Sequence, residues 1–347
     1  MQALSHALEQ DWAEKVELAI GLFCMGNWSY PCIRGFLEKH GIEMEKIHKI
    51  EISGPKVTIS LSHKKLYLPL RDLGKYIKLA CRFCLDFSSE LADIAVGGQG
   101  SPRGWSTVIV RNKKWDGILE EAEAAGEIET MPLSEESFTR LEDTARKKIE
   151  RNTRRILRKS KYISIPHFKT RDSSSIEGLI PLAAGKGFKE LRSEIVSQGL
   201  CDACGACSAV CDIIEMENGL PRLKGKCPPY CSTCYLACTR TFLPVKTLEK
   251  RLDLGERSTP YLGKYCYIVA VRAVREDMIS KGQNGAAVTA LLRFFMRQGI
   301  VDGSILTCKG SALEPKVIFA RNEKEILPCA GTVYSASTLL PVLRHLG

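Results

Sequence analysis

Eight of the fifteen cysteines in this 347-residue chain lie between Cys201 and Cys238, as C-D-A-C-G-A-C-S-A-V-C and C-P-P-Y-C-S-T-C-Y-L-A-C. Three cysteines at C-x₂-C spacing can take three corners of an iron-sulfur cube, with a fourth further along sent to the other cluster of a pair. Crossed in that way, Cys201, Cys204, Cys207 and Cys238 form one ligand set, and Cys227, Cys231, Cys234 and Cys211 the other. The expected cofactors are two [4Fe-4S] clusters, and the expected chemistry is one-electron transfer. Tetrahedral zinc is the alternative, but zinc ribbons present two C-x₂-C pairs and need no third close cysteine. Two details depart from the usual cluster pattern. Asp212 and Thr239 stand where a proline often follows the fourth cysteine, and the step from Cys227 to Cys231 is one residue longer.

The elements that must position these cysteines belong to an ordinary globular chain, 44% hydrophobic and 26% charged, long enough for two or three domains. No apolar run approaches the length of a membrane span, and the start lacks a basic, then apolar, signal. A cytoplasmic protein is expected, in which cysteines serve metal rather than disulfides. The net charge of +10 is concentrated, because Arg146 to Lys161 holds nine Lys/Arg against one Glu. That run suits an anionic partner or cofactor, or a solvated helix face whose apolar side is Ile149, Ile156 and Leu157. No RNA-binding motif or aromatic platform points to nucleic acid, and no acid, base or nucleophile constellation points to hydrolysis or group transfer.

Periodicity predicts a strand over 15–24, a helix over 30–40, strands over 46–53 and 56–62 split by Gly54-Pro55, and strands over 92–96 and 107–111. Helices are predicted over 115–125 and 134–158. The stretch 160–187 breaks all periodicity and reads as a linker. Beyond it come a helix over 189–198, the cysteine module, a strand over 265–274, a helix over 284–298 capped by Asn284 and stopped by Gly299, and a strand over 300–308, the last three as a βαβ unit. The turn K-G-Q-N-G-A-A before that helix offers backbone N–H groups to a phosphate or pyrophosphate, or is an ordinary helix start.

Two sets of residues carry a resemblance. Gly21 to Met25 (G-L-F-C-M) and Cys81 to Arg111 (C-R-F-C-L-D-F through V-I-V-R) resemble the C-terminal region of the coenzyme F420 hydrogenase/dehydrogenase beta-subunit family. The cysteine module, Gln283 to Leu292 (Q-N-G-A-A-V-T-A-L-L) and Ala330 to Ser335 (A-G-T-V-Y-S) resemble its N-terminal region, so the order is reversed. A circular permutant, the tail of one copy fused to the head of another, and a reading frame cut from a longer tandem gene would each give this order, the last two being favoured by the basic helix and linker after the first region. The halves would then pair with each other or with complementary halves on another chain.

The resemblance implies an α+β or α/β fold: a mixed-sheet flavin-binding core split into two halves, with an inserted 2[4Fe-4S] ferredoxin-like module. The implied divisions are 1–158 (C-terminal-like), 159–187 (linker), 188–245 (ferredoxin-like) and 246–347 (N-terminal-like, truncated). It further implies FAD beside another [4Fe-4S] cluster, coenzyme F420 as substrate, and a partner such as a hydrogenase or formate dehydrogenase. Cys24, Cys81 and Cys84 would ligate the flavin-proximal cluster, whose fourth cysteine, in a P-C-Q turn, is absent from this chain. Flavin contacts would come from Gly285, Thr289, Gly331, Thr332 and Tyr334, with Gly97, Gly100 and Trp105. Ala286 and Val333 depart from the family pattern. A ferredoxin-like relay, or an inactive fragment, is the alternative. Cys32, Cys266, Cys308 and Cys329 lack ligand spacing and are expected to be buried thiols.

Overall fold

A computed structural model describes residues 11–162, 164–165, 167–168, 171 and 180–346. Its centre is one mixed sheet of β1 (Ile20–Leu22), β5 (Ile94–Gly97), β6 (Ser106–Val110), β12 (Tyr267–Ala273) and β7 (Ile128–Pro132), in the spatial order β1-β5-β6-β12-β7. Only β1 and β5 run parallel; the other three pairs are antiparallel. The strand from the second half of the sequence thus lies between two strands of the first half. The two regions that the sequence presents in reversed order pair with each other inside one chain.

Alternating side chains explain the layers. Val108 and Val110 of β6, with Ile94, Val96 and Val271, face α2 (Ile118–Ala124) and the later helix α4 (Ala287–Arg297), whose Leu291, Phe294 and Phe295 are buried there. On the opposite side, Phe87 and Leu262 meet Leu141 and Ala145 of α3 (Glu135–Lys159). That helix opens at Ser134, whose hydroxyl accepts from the Ser137 N–H at 3.2 Å. A satellite meander, β2 (Ile47–Ser53), β3 (Lys56–Leu61) and β4 (Lys65–Pro69), packs on α1 (Tyr30–Lys39), and Gly54-Pro55 forms the turn between its first two strands.

Several expectations change. The stretch 15–24 holds only the short β1, because the ladder begins where Ala19 meets Asp93. The helix expected over 189–198 is Phe188–Leu191 followed by a π-helical turn. The predicted βαβ unit does not form: both edges of β12 are taken by β6 and β7, so β13 (Ser304–Lys309) pairs instead with its nearest neighbour in sequence, β14 (Pro315–Ala320), as a separate antiparallel hairpin. Helix α4 is capped by Ala286 with no side-chain bond, since Asn284 and Ala286 both adopt left-handed backbone, while Gly299, at φ +67°, ends it as expected.

The cysteine-rich module carries two further hairpin strands, β8 (Ile214–Glu217) and β9 (Leu220–Leu223), and a short hairpin of β10 (Arg257–Thr259) and β11 (Gly263–Tyr265) leads from it into β12. The module's core is shared with the first half of the chain. Phe188, Leu191, Ile195 and Tyr235 pack with Phe83 and with Ile156 of α3, and Ile165 and Ala183, from the stretch read as a linker, are buried in the same cluster. Much of 159–187 lies outside the described residues. Among the described residues no helix is long and apolar enough to cross a membrane.

Candidate functional site

Of the eight clustered cysteines, Cys207 and Cys234 lie in two short helices, Ala206–Ala209 and Thr233–Ala237, and the other six lie in the segments around them. Gly205, at φ +81°, makes the sharp entry to the first, where a Cβ would also strike Pro341. The chain's last segment braces this loop: Leu340 N–H donates to the Cys204 carbonyl, Thr338 to that of Ala203, and the Arg344 guanidinium to those of Ser208 and Cys211, both at 3.0 Å.

The thiols fall into two neighbourhoods. Burial pushes Cys238 up to about 12, and the thiols bearing on it are Cys204 and Cys201. Cys234 is likewise pushed up to about 12, by burial and then by Cys211, Cys227 and Cys231. Cys207 feels Cys204, Cys238 and Cys201, and also Cys234 of the other group, so the two neighbourhoods touch at that pair. These are the two sets that crossed ligation would use. Among the described residues no three His, Cys, Asp or Glu side chains converge as ligands of a single metal ion. The thiols acting on Cys238, Cys207 and Cys234 thus divide the eight cysteines along the same line, with Cys207 and Cys234 buried and the other six half-buried.

A third neighbourhood joins Cys24, Cys81 and Cys84. Cys24 opens on a cleft but is enclosed by protein behind; that enclosure raises its thiol, Lys148 opposes the rise, and Cys84 adds to it. Two residues of α3, one turn apart, fix this loop system. Buried Lys148 donates to the carbonyls of Cys24 and Asp86, and buried Asn152 donates to those of Cys81 (3.0 Å) and Cys84 (2.7 Å). The basic run is therefore not simply a solvated face. Its buried stripe is Lys148, Asn152 and Ile156, while Leu157 is exposed.

Between this neighbourhood and the Cys201 group lies a buried ion pair, Arg240 Nε to Asp202 Oδ2 at 2.5 Å. Asp202 and Arg240 both act on Cys81, and Arg240 acts on Cys84, Cys201 and Cys204. The His167 ring alongside is pushed down to about 4 by burial and then by Arg240, so it is neutral near pH 7.

A continuous cleft of about 2690 Å³ runs from these cysteines across the sheet end to the C-terminal loops. Cys24 and Cys81 line one part of it, and Gly97, Thr289, Gly331, Thr332 and Tyr334 line others. Single ligands occupy roughly 300–1,000 Å³, so the cleft has room for more than one. Tyr334 is fixed by its hydroxyl, which accepts from Gln283 Nε2 at 2.7 Å and from the Ile52 N–H at 3.1 Å. The cleft wall does not include Gly285, Gly100 or Trp105. Gly285 lies flat on the sheet, where a Cβ would stand 2.8 Å from Ser106 N and 3.1 Å from Trp105 Cα; Gly100 packs against the start of α3. Their contribution is to let the α4 N-terminus and the β5–β6 loop approach closely.

Sequence reasoning missed Lys148, Asn152, Arg240, Asp202 and Gln283. Lys148 and Asn152 had a readable signal, since they interrupt the apolar stripe Leu141, Ala145 and Ile156. Of the four cysteines expected as buried thiols, Cys32 and Cys266 are half-buried, and Cys308 and Cys329 form a disulfide with Cα atoms 4.2 Å apart. The disulfide arises because the 327–329 turn returns against β13.

Comparison with known proteins places the two regions. Residues 1–136 match the family described as the C terminus of the coenzyme F420 hydrogenase/dehydrogenase beta chain, and residues 268–344 match the N-terminal family of the same beta chain. Coenzyme F420 hydrogenase subunit beta of Methanothermobacter thermautotrophicus is 40% identical over 124 residues, 35% of this chain and 44% of that protein. The namesake from Methanosarcina barkeri is 36% identical over 151 residues, 42% of this chain and 52% of its own length. The coenzyme F420-dependent sulfite reductase of Methanocaldococcus jannaschii is 38% identical over 104 residues, 30% of this chain and 16% of that enzyme. The chain thus spans about half the length, or less, of these relatives. A solved chain of the F420-reducing [NiFe] hydrogenase complex from Methanosarcina barkeri is 33% identical, covers 46% of this chain and 58% of its own, and gives a TM-score of 0.43.

Proposed function

The chain belongs to the coenzyme F420 hydrogenase/dehydrogenase beta-subunit family, its C-terminal region preceding its N-terminal region, and from that premise we propose an iron-sulfur flavoprotein subunit that moves electrons between reduced coenzyme F420 and a partner redox enzyme or carrier. Its relatives bear the names of F420-linked oxidoreductases. The observation that carries the reading is the cleft that brings Gly97, Thr289 and the Gly331–Tyr334 loop onto the same surface as Cys24 and Cys81.

FAD in that cleft would supply the conversion of a hydride pair into single electrons, which iron-sulfur clusters require. The chain's own residues hold the frame for it. Gly285 seats the start of α4 on the sheet, Thr289 presents its first turn to the cleft, and Tyr334 locks the Gly331 loop through Gln283 and Ile52. Lys148 and Asn152 set the backbone of the Cys24, Cys81 and Cys84 loops, which would hold the flavin-proximal cluster. From there the neighbourhoods follow in order: Cys81 beside Cys201 through Arg240 and Asp202, then Cys207 beside Cys234. The two four-cysteine sets would hold the remaining [4Fe-4S] clusters.

Anaerobic purification with iron, sulfide and flavin quantified, followed by stopped-flow mixing with reduced F420, tests the reading. It predicts bound FAD that bleaches on mixing, together with at least about eight irons, four for each cube. FAD that fails to bleach refutes the F420 assignment. Eight irons without flavin leave only a ferredoxin-like relay.

A further inference from the structure

The cleft wall beside Cys81 carries three guanidinium groups that, among the described residues, pair with no carboxylate. Arg151 and Arg155 project from the C-terminal part of α3, and Arg82 from the turn between Cys81 and Cys84; all three line the cleft. Each is held by neutral oxygens. Arg151 Nε and Arg155 Nη1 both donate to Asn152 Oδ1 at 3.2 Å, and Arg82 Nη2 donates to the Lys75 carbonyl at 3.0 Å. Among the described residues, no Asp or Glu forms an ion pair with any of the three, whereas Arg34, Arg140 and Arg146 on outer faces all have acidic partners three or four residues away.

The groups also act on one another. Burial lowers Arg151, and Arg155 is lowered by burial and then by Arg151, Arg82 and Arg158. Like charges gathered without counter-charge destabilise a folded chain, and side chains on a helix surface normally swing apart to relieve this. Here they are restrained. Asn152 cannot turn its oxygen away, because its amide nitrogen is committed to the Cys81 and Cys84 carbonyls. Two forks anchored on one fixed oxygen, with Arg82 near enough to act on Arg155, keep three guanidinium groups in one part of the cleft wall, and guanidinium is the side-chain group suited to pairing with oxyanions.

We propose that Arg82, Arg151 and Arg155 form a binding site for a small polyanion, a phosphate- or carboxylate-rich molecule or part of one, in the cleft wall beside Cys81. The site stands apart from the flavin and cluster assignments, since it needs only the charges and their restraint. Its ligand would neutralise a repulsion that the free protein retains.

That retained repulsion gives the test a stability readout. The full chain, purified anaerobically and freed of bound anions in high salt, is returned to low salt and titrated with tripolyphosphate and, separately, with citrate, following the melting temperature and the heat of binding. At least one probe should bind at one equivalent per chain, raise the melting temperature, and lose affinity as salt increases. The stronger probe identifies phosphate or carboxylate as the recognised chemistry. In the Arg151→Gln/Arg155→Gln variant, affinity should fall at least tenfold while the ligand-free melting temperature rises. Arg155→Lys, which keeps the charge but not the fork, should bind several-fold more weakly, and Lys161→Gln should change nothing. Failure of both probes to bind, or binding that persists undiminished in the double variant, overturns the proposal.

Discussion

Arg240 is buried within a field of thiols, paired with Asp202, and acts on Cys81, Cys84, Cys201 and Cys204, while the charges acting most on Cys227 and Cys234 are those of their own cysteine set. A fixed positive charge favours the more negative, reduced state of any cluster near it, and weakly screened surroundings strengthen that effect. With clusters on the three cysteine sets, Arg240→Gln should therefore lower the midpoint potentials of the Cys24/Cys81/Cys84 and Cys201/Cys204/Cys207/Cys238 centres. The Cys211/Cys227/Cys231/Cys234 centre should move least, and Arg240→Lys should recover most of the shift. Potentiometric titration followed by electron paramagnetic resonance reads this, and an equal shift of all three centres would show a general structural loss instead. Cysteines could be located from spacing alone because cluster ligation imposes a short repeat. Arg240 could not, since it follows Cys238 by two residues with no spacing rule of its own, and only the approach of the Cys81 loop gives its charge two neighbours.

Helix α4 shows how an element legible in sequence acquires an unforeseen attachment. Its apolar face and its stop at Gly299 could be read from periodicity, but Arg293, within that face, is buried. Its guanidinium pairs with Glu127, at the entry to β7, and with Glu323 at 2.6 Å, while Arg297 reaches Glu127 at 3.0 Å. Glu127 comes from the first region and α4 from the second, so this network ties the halves at the sheet edge. Removing one partner of a buried pair leaves the other charge unmatched, which costs about 3–5 kcal/mol. Glu127→Ala should destabilise the protein by that amount in reversible denaturant unfolding, and Glu127→Ala combined with Arg293→Met should recover part of the loss. If the single variant loses no more than an exposed pair such as Arg34 with Glu38, the network does not tie the halves. The βαβ expectation failed for a reason of the same scale: local pattern identified the strands, but β12 had both edges filled by strands more than a hundred residues earlier.

At the scale of the whole molecule, reversed order costs the fold nothing in connectivity, because β12 pairs with β6 and β7 wherever its chain begins. Each half alone lacks its complement. The first would leave β6 and β7 without the strand between them and Val108 and Val110 without Leu291, Phe294 and Phe295; the second would leave β12 and the apolar face of α4 open to water. Each fully buried Leu, Phe or Val contributes roughly 1.5–3 kcal/mol, and a domain's net stability is only about 5–15 kcal/mol, so losing several such contacts exceeds what either half holds in reserve. Fragments 1–162 and 180–347 expressed separately should be unfolded or aggregated. Co-expressed, they should recover a one-to-one complex with the far-ultraviolet circular dichroism of the intact chain. Two fragments that each fold alone and show no mutual affinity would mean that the β6–β12–β7 pairing is not what unites the regions.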